Sequence, residues 1–165
     1  MKQKTLKNKV HFSGVGIHTG VTTNITLVPA KENTGIIFTR TDLENSPEIK
    51  ADVRNVISTE RSTNLGKNGI EINTVEHILA AITGSEIDNK IIEIDNIEVP
   101  ILDGSSKDFT NKIQEIGIVQ QNEKKKYFII EKQIEYKDEE SGTEYVAIPD
   151  EEYKIETEID YNSTA

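Results

Sequence analysis

The sequence predicts an α+β fold in which runs of short strands are joined by two amphipathic helices. Three observations lead there. β-rich runs fill the first third of the chain and return beyond residue 126. Two segments, at about 74–83 and 106–116, space their apolar residues at helical intervals. Aromatics are only 5% of the chain and Trp is absent, so a core must rest on Ile, Val and Leu, which suit sheets and short helices.

The elements follow in order. KVHFSGVGIH and VTTNITLVPA read as strands, with Thr19-Gly20 as the turn between them. GIIFTRTD is a third run and EIKADVRNVI a fourth. STNLG and GIEINT flank Lys67-Asn68, with glycines on both sides, which predicts a hairpin. From Thr74 to Thr83, Val75, Ile78, Leu79 and Ile82 fall at i, i+3, i+4 and i+7, one face of a helix. Asn73 fits its N-cap and Gly84 its stop. IIEID and IEVPIL form a hairpin-like pair around Asn96, and a second helix starts after Ser105 and runs to about Ile116.

The polar, lysine-rich stretch VQQNEKKKY then predicts a boundary: a first domain over 1–120, a linker over 121–126 and a second unit over 127–165. KYFIIEKQIEY, TEYVAI and YKIETEIDY alternate there as strands. A small sheet with no helix is marginal in water. The segment 127–165 is therefore expected to be the incomplete start of a second domain.

Charge and composition narrow the function. A net charge of −10 shows no basic face for nucleic acid. The absence of cysteine removes disulfides, thiolate metal sites and Cys nucleophiles. MKQKTLKNKV lacks the apolar run of a secretory leader, and no stretch approaches the roughly 20 apolar residues of a membrane span. A cytoplasmic protein is expected.

The densest chemistry lies in NTVEHILAAITG. Glu76 and His77 leave the first helical turn away from the apolar stripe, beside the small Ala80. A neutral imidazole is a good zinc ligand, and a neighbouring carboxylate can act as a general base. A second reading stands beside this one. Glu76 is three residues after Asn73, the spacing of a capping box, and His77 is then a surface histidine. His18, in SGVGIHTG, sits either at a site or at the tip of a Gly-rich hairpin. Asp103, in VPILDGSS, has turn formation and helix capping as its simpler reading. Arg61 and Thr63, in STERSTNL, carry no special signal of their own. No serine sits in a nucleophile elbow.

Several segments together resemble one family: QKTLKNKVHFSGVGIHTG, LVPAKENTGIIFTRTDL, TVEHILAAITG, EIDN and EVPILDGSSKDF. They are similar to the zinc amidohydrolases that remove the acetyl group from UDP-3-O-acyl-N-acetylglucosamine, an early step of lipid A synthesis. The resemblance implies two similar α+β domains, each a two-layer sandwich of a small mixed sheet and helices, with the active site between them. It implies that His77 is one of three protein ligands of a zinc ion and that Glu76 is the general base. It also implies that His18, Thr63 and Asp103 lie in or near the site, and that Asp160 and Tyr161 match a place that holds the uridine. The family's other two zinc ligands come from an H-x-x-x-D motif in the second domain. Its general-acid His, a substrate-binding Lys and its acyl passage also lie there, and all these are expected beyond residue 165. The 165-residue chain alone is therefore expected to be inactive. A non-catalytic acidic β-rich interaction module, and a zinc deacetylase of another N-acyl sugar, are the alternatives. A dehydratase domain fused downstream is a further possibility of the same family.

Overall fold

The computed structural model describes residues 1–159, in two compact units, Met1–Lys125 and Lys126 onward. In the first unit the strands are β1 (Lys2–Leu6), β2 (Val10–Val15), β3 (Thr22–Pro29), β4 (Ile36–Arg40), β5 (Glu48–Lys50), β6 (Val56–Ser58), β7 (Asn64–Lys67), β8 (Ile70–Ile72), β9 (Lys90–Ile94) and β10 (Ile118–Lys124). The helices are α1 (Glu76–Gly84) and α2 (Lys107–Ile116), and a 3-10 turn spans Val53–Asn55. The fold is α+β, with mixed sheets, two helices and no closed barrel among the described residues.

The main sheet has five strands in the order β2-β3-β9-β4-β5. Only β4 and β9 run parallel; the other pairs are antiparallel. Alternation along each strand sorts the side chains onto two faces. On the inner face, Val10, Leu27, Ile92, Phe38 and Ile49 stand in one row across the sheet, and Phe12, Ile25 and Ile94 in the next. All eight are buried. The same hydrophobic cluster takes in Ile78, Ala81 and Ile82 of α1 and Phe109 and Ile113 of α2. Phe109 meets Phe12 with ring centroids 4.9 Å apart. Burying one such side chain is worth roughly 1.5–3 kcal/mol, so the helix stripes and the sheet face stabilise each other.

One residue on the inner face breaks the pattern. Lys90 is fully buried in line with Ile92 and Ile94, and its Nζ has no hydrogen-bond partner among the described residues. Burial pushes its ammonium down to about 7.

The turns follow the expected chemistry. Gly20, between β2 and β3, has φ of +67°. Asn68 and Gly69 join β7 to β8 with φ of +53° and +78°, the left-handed pair that a two-residue hairpin needs. Gly117, with φ of +82°, ends α2 and leads straight into β10.

Details of the first unit differ from the sequence reading. The chain from 118 to 124, read from sequence as the end of the first domain and part of a linker, is a strand that pairs antiparallel with β1. Its polar residues conceal it because both its faces are largely exposed. Asn89 binds this pair to the body: its Nδ2 donates to Gln3 Oε1 at 2.7 Å and Gln121 Oε1 at 2.8 Å, and its Oδ1 accepts from Gly35 N at 2.9 Å. The segment 97–102 does not form a hairpin with β9, because β3 and β4 already occupy both edges of β9. It makes instead an isolated parallel bridge, Asn73 with Glu98.

In the second unit, β11 (Ile134–Lys137) and β12 (Glu144–Ala147) form an antiparallel hairpin, with the Tyr136 and Tyr145 rings 6.0 Å apart. No strand forms at 127–133 or 151–159, where Phe128 is 90% and Ile155 73% exposed. Neither run finds a pairing partner among the described residues. No helix among the described residues is long and apolar enough to cross a membrane.

Candidate functional site

The site assembles where β2, β7 and the segment 97–99 converge on the start of α1. Residues Asn73 to Val75 lead into the helix under restraint from three sides. Asn73 N donates to Ile97 O at 2.8 Å, Thr74 N to Asn64 Oδ1 at 3.2 Å and Val75 N to Thr63 O at 3.1 Å. Thr74 is buried and has φ of +59°. A β-branched residue in the left-handed region is strained by on the order of 1–3 kcal/mol and persists only where its surroundings hold it.

That geometry removes the capping-box reading of Glu76. Asn73 is not the N-cap; Val75 occupies the position, and its side chain makes no cap bond. The Glu76 carboxylate turns instead to the preceding loop, where Oε2 accepts from Thr63 N at 3.0 Å. Its other oxygen has no hydrogen-bond partner among the described residues. Glu76 and His77 are both half-buried on the first turn, while Val75, Ile78 and Ile82 go to the core.

His18 reaches the same end of the molecule through Glu98. The turn after β2 is closed by Gly16 N to Val21 O and Gly20 N to Gly16 O, each 3.0 Å. The buried Glu98 accepts from His18 N at 3.0 Å, Thr19 N at 2.8 Å and Thr74 Oγ1 at 3.0 Å. Burial pushes the Glu98 carboxyl up, but the donors of Thr19, His18 and Thr74 outweigh it and hold it below the usual glutamate range. A cleft of about 300 Å³ opens here, lined by His18, Glu60, Arg61, Ser62, Asn64 and Asn73. Its lining is mainly polar.

The expected residues therefore fall into three groups. His18, Thr63 and Glu76, with His77 next in sequence to Glu76, are gathered around the start of α1. Asp103 is exposed at the turn before α2, where Ser105 donates through both its N and its Oγ, at 3.0 Å and 2.9 Å; these bonds hold its carboxyl below the usual aspartate range. It forms an Asx turn and does not cap α2, whose first amide, Lys107 N, bonds to Ser105 Oγ. No hydrogen bond among the described residues links it to Glu76 or His18. Asp160 and Tyr161 lie outside the described residues.

Glu98 and Asn64 were not singled out from sequence. For Glu98 a signal exists: a carboxylate set among Ile97, Val99, Pro100 and Ile101 must find donors if that run is buried. For Asn64 there is none.

His77 and Glu76 offer a metal ion one imidazole and one carboxylate. Among the described residues no three His, Asp or Glu are gathered as a metal-binding group. A catalytic zinc takes three protein ligands, and the described residues do not gather three such donors.

Fold and site thus define an α+β protein with a carboxylate–imidazole pair at a helix start beside a polar cleft. The family described as UDP-3-O-acyl N-acetylglycosamine deacetylase (LpxC) matches residues 3–165. The UDP-3-O-acyl-N-acetylglucosamine deacetylase of Saccharophagus degradans is 44% identical over 162 residues, which are 98% of this chain and 53% of that protein. That of Acidithiobacillus ferrooxidans is 41% identical over 163 residues, again 53% of its length. The bifunctional enzyme LpxC/FabZ of Bacteroides thetaiotaomicron is 41% identical over 164 residues, 36% of its length. The chain belongs to the UDP-3-O-acyl N-acetylglycosamine deacetylase family. It spans between about a third and about half the length of these curated relatives.

Proposed function

We propose that this chain carries part of the active site of a zinc-dependent deacetylase of lipid A synthesis in the cytoplasm. The reaction is hydrolysis of the acetamide of UDP-3-O-acyl-N-acetylglucosamine to acetate and UDP-3-O-acyl-glucosamine. The observation that carries the reading is the Glu76 carboxylate, held at one oxygen by Thr63 N, with no donor to the other among the described residues. A general base needs that arrangement: a fixed orientation and an unoccupied lone pair.

His77 is proposed as one zinc ligand, with the remaining ligands on sequence beyond residue 165. Zinc bound there would polarise the acetamide carbonyl and acidify water. Glu76 accepts a proton as water oxygen bonds to the carbonyl carbon. When the C–N bond breaks, the nitrogen leaves as an amine, protonated by a donor that the family resemblance places beyond residue 165. His18 and Thr63 line the site. Asp103 is proposed, on the family resemblance, to lie near the catalytic centre, and Asp160 and Tyr161 to hold the uridine. Residues 127–165 are proposed as the opening of that second domain, and the 165-residue chain alone as inactive.

The test uses the natural continuous polypeptide that contains this chain. Glu76→Gln should keep zinc and lose turnover by about 10²–10⁴-fold, the usual range for general-base catalysis. His77→Ala should lose zinc itself. Normal turnover by Glu76→Gln would remove the base assignment, and full zinc occupancy in His77→Ala would remove the ligand.

A further inference from the structure

Glu98 belongs to neither helix and does not line the cleft, yet it has the most demanding environment near it. It is fully buried between Ile97 and Val99. A buried carboxylate is tolerated only when donors surround it. Here they come from two segments far apart in sequence: the His18 and Thr19 amides after β2, and the Thr74 hydroxyl before α1. Among the described residues Glu98 has no cation beside it; its donors there are neutral.

The fit is close enough to dictate its neighbours. A Cβ built on Gly16 would lie 2.3 Å from Glu98 Oε2 and 2.7 Å from Thr19 Oγ1. Only glycine lets the turn close on the carboxylate. Thr74 is strained at φ of +59°, and its hydroxyl bond to Glu98 opposes relaxation together with the bonds of Thr74 N to Asn64 Oδ1, Asn73 N to Ile97 O and Val75 N to Thr63 O. Thr74 is separated from Glu76 only by Val75. The carboxylate thereby sets the distance between the turn bearing His18 and the helical turn bearing Glu76 and His77.

We propose that Glu98 is a positioning residue for the deacetylation, bridging the His18–Thr19 amides to Thr74 so that His18 and Asn73, three residues before Glu76, line one cleft. The proposal rests on the deacetylase reading for its activity arm, and on geometry alone for its structural arm.

The activity arm is a double-mutant cycle in the full-length protein. Glu98→Gln replaces one acceptor oxygen by an NH₂ that confronts amide donors, so kcat/KM should fall about tenfold, the scale of one lost charge-assisted hydrogen bond. Zinc content should be unchanged. In a His18→Ala background the same substitution should cost less than about twofold, because Glu98 acts through that turn. Additive losses would overturn the proposal and leave Glu98 as a general structural residue. Should Glu98→Gln fail to fold, Thr74→Ala removes a single donor and enters the same cycle, with Thr74→Ser expected to restore activity.

The structural arm is amide NMR of the chain. Glu98→Gln should shift the His18, Thr19 and Thr74 amides and leave those of Leu27 and Ile92 in place. Unmoved His18 and Thr19 amides would overturn the bridge whatever the activity. Absence of deacetylase turnover in the wild-type full-length protein, with these amide shifts present in Glu98→Gln, would instead defeat the functional reading and keep the bridge.

Discussion

The amide of Thr63 donates to the carboxylate of Glu76 across 3.0 Å, while Thr63 O accepts from Val75 N. One residue of a loop thus grips the helix start at two points, and the acid on the first turn is aimed by backbone that precedes it by 13 residues.

This grip has a measurable strength. Glu76→Ala leaves the Thr63 amide without its acceptor and should destabilise the chain by about 1–2 kcal/mol. Glu76→Gln retains a carbonyl acceptor and should cost less than half of that. Urea denaturation of both variants checks the difference, and faster exchange of the Thr63 amide in Glu76→Ala locates it.

Gly16→Ala places a methyl group where Glu98 Oε2 and Thr19 Oγ1 already sit. The overlap is with a fully buried side chain, so the turn must open or Glu98 must lose donors. A loss of about 2 kcal/mol is expected. Gly20→Ala, whose Cβ would meet nothing within 4 Å but whose φ is +67°, should lose only about 1 kcal/mol, from backbone strain. Thermal unfolding of the two variants distinguishes the mechanisms.

Lys90 makes stability depend on pH with a definite sign. Its folded value is about 7, below the ordinary lysine value, so the unfolded chain binds more protons between them. The penalty is complete below about pH 7 and fades as pH rises toward about 10. Lys90→Met should stabilise by about 1–3 kcal/mol at pH 6, with the gain shrinking at pH 9. Equal gains at both pH values would show that Lys90 is neutral or solvated throughout.

Asn89→Ala removes bonds to Gln3, Gln121 and Gly35 at once. A loss of about 2–3 kcal/mol is expected from the buried partners left unpaired. Hydrogen exchange should show β1 and β10 loosening first, with the five-stranded sheet protected. Uniform loosening would mean that the pair β1–β10 folds as one unit with the sheet.

Much of the first unit was legible in advance. Val75 at the N-cap and Ile78 and Ile82 in α1, the Asn68-Gly69 turn and the alternation of β2 and β3 each follow from spacings of a few residues. The pairing of Glu76 with His77 on one turn was equally legible, being a property of the helix. The errors share a cause. IEVPIL alternates like a strand but finds β9 already paired on both sides, and 118–124 lacks alternation yet pairs with β1. In each case the decision lay with a partner distant in sequence.

The sequence by itself determined the mixed fold, the two helices, the apolar faces and which residues could do acid–base or metal chemistry, because periodicity and residue type are local properties. Tertiary structure alone decided that Glu76 faces Thr63 and not Asn73, that Glu98 ties the His18 turn to Thr74, and that Lys90 is buried. Those outcomes depend on hydrogen bonds and burial between segments as many as 80 residues apart, and no local pattern encodes which buried donors a carboxylate will meet.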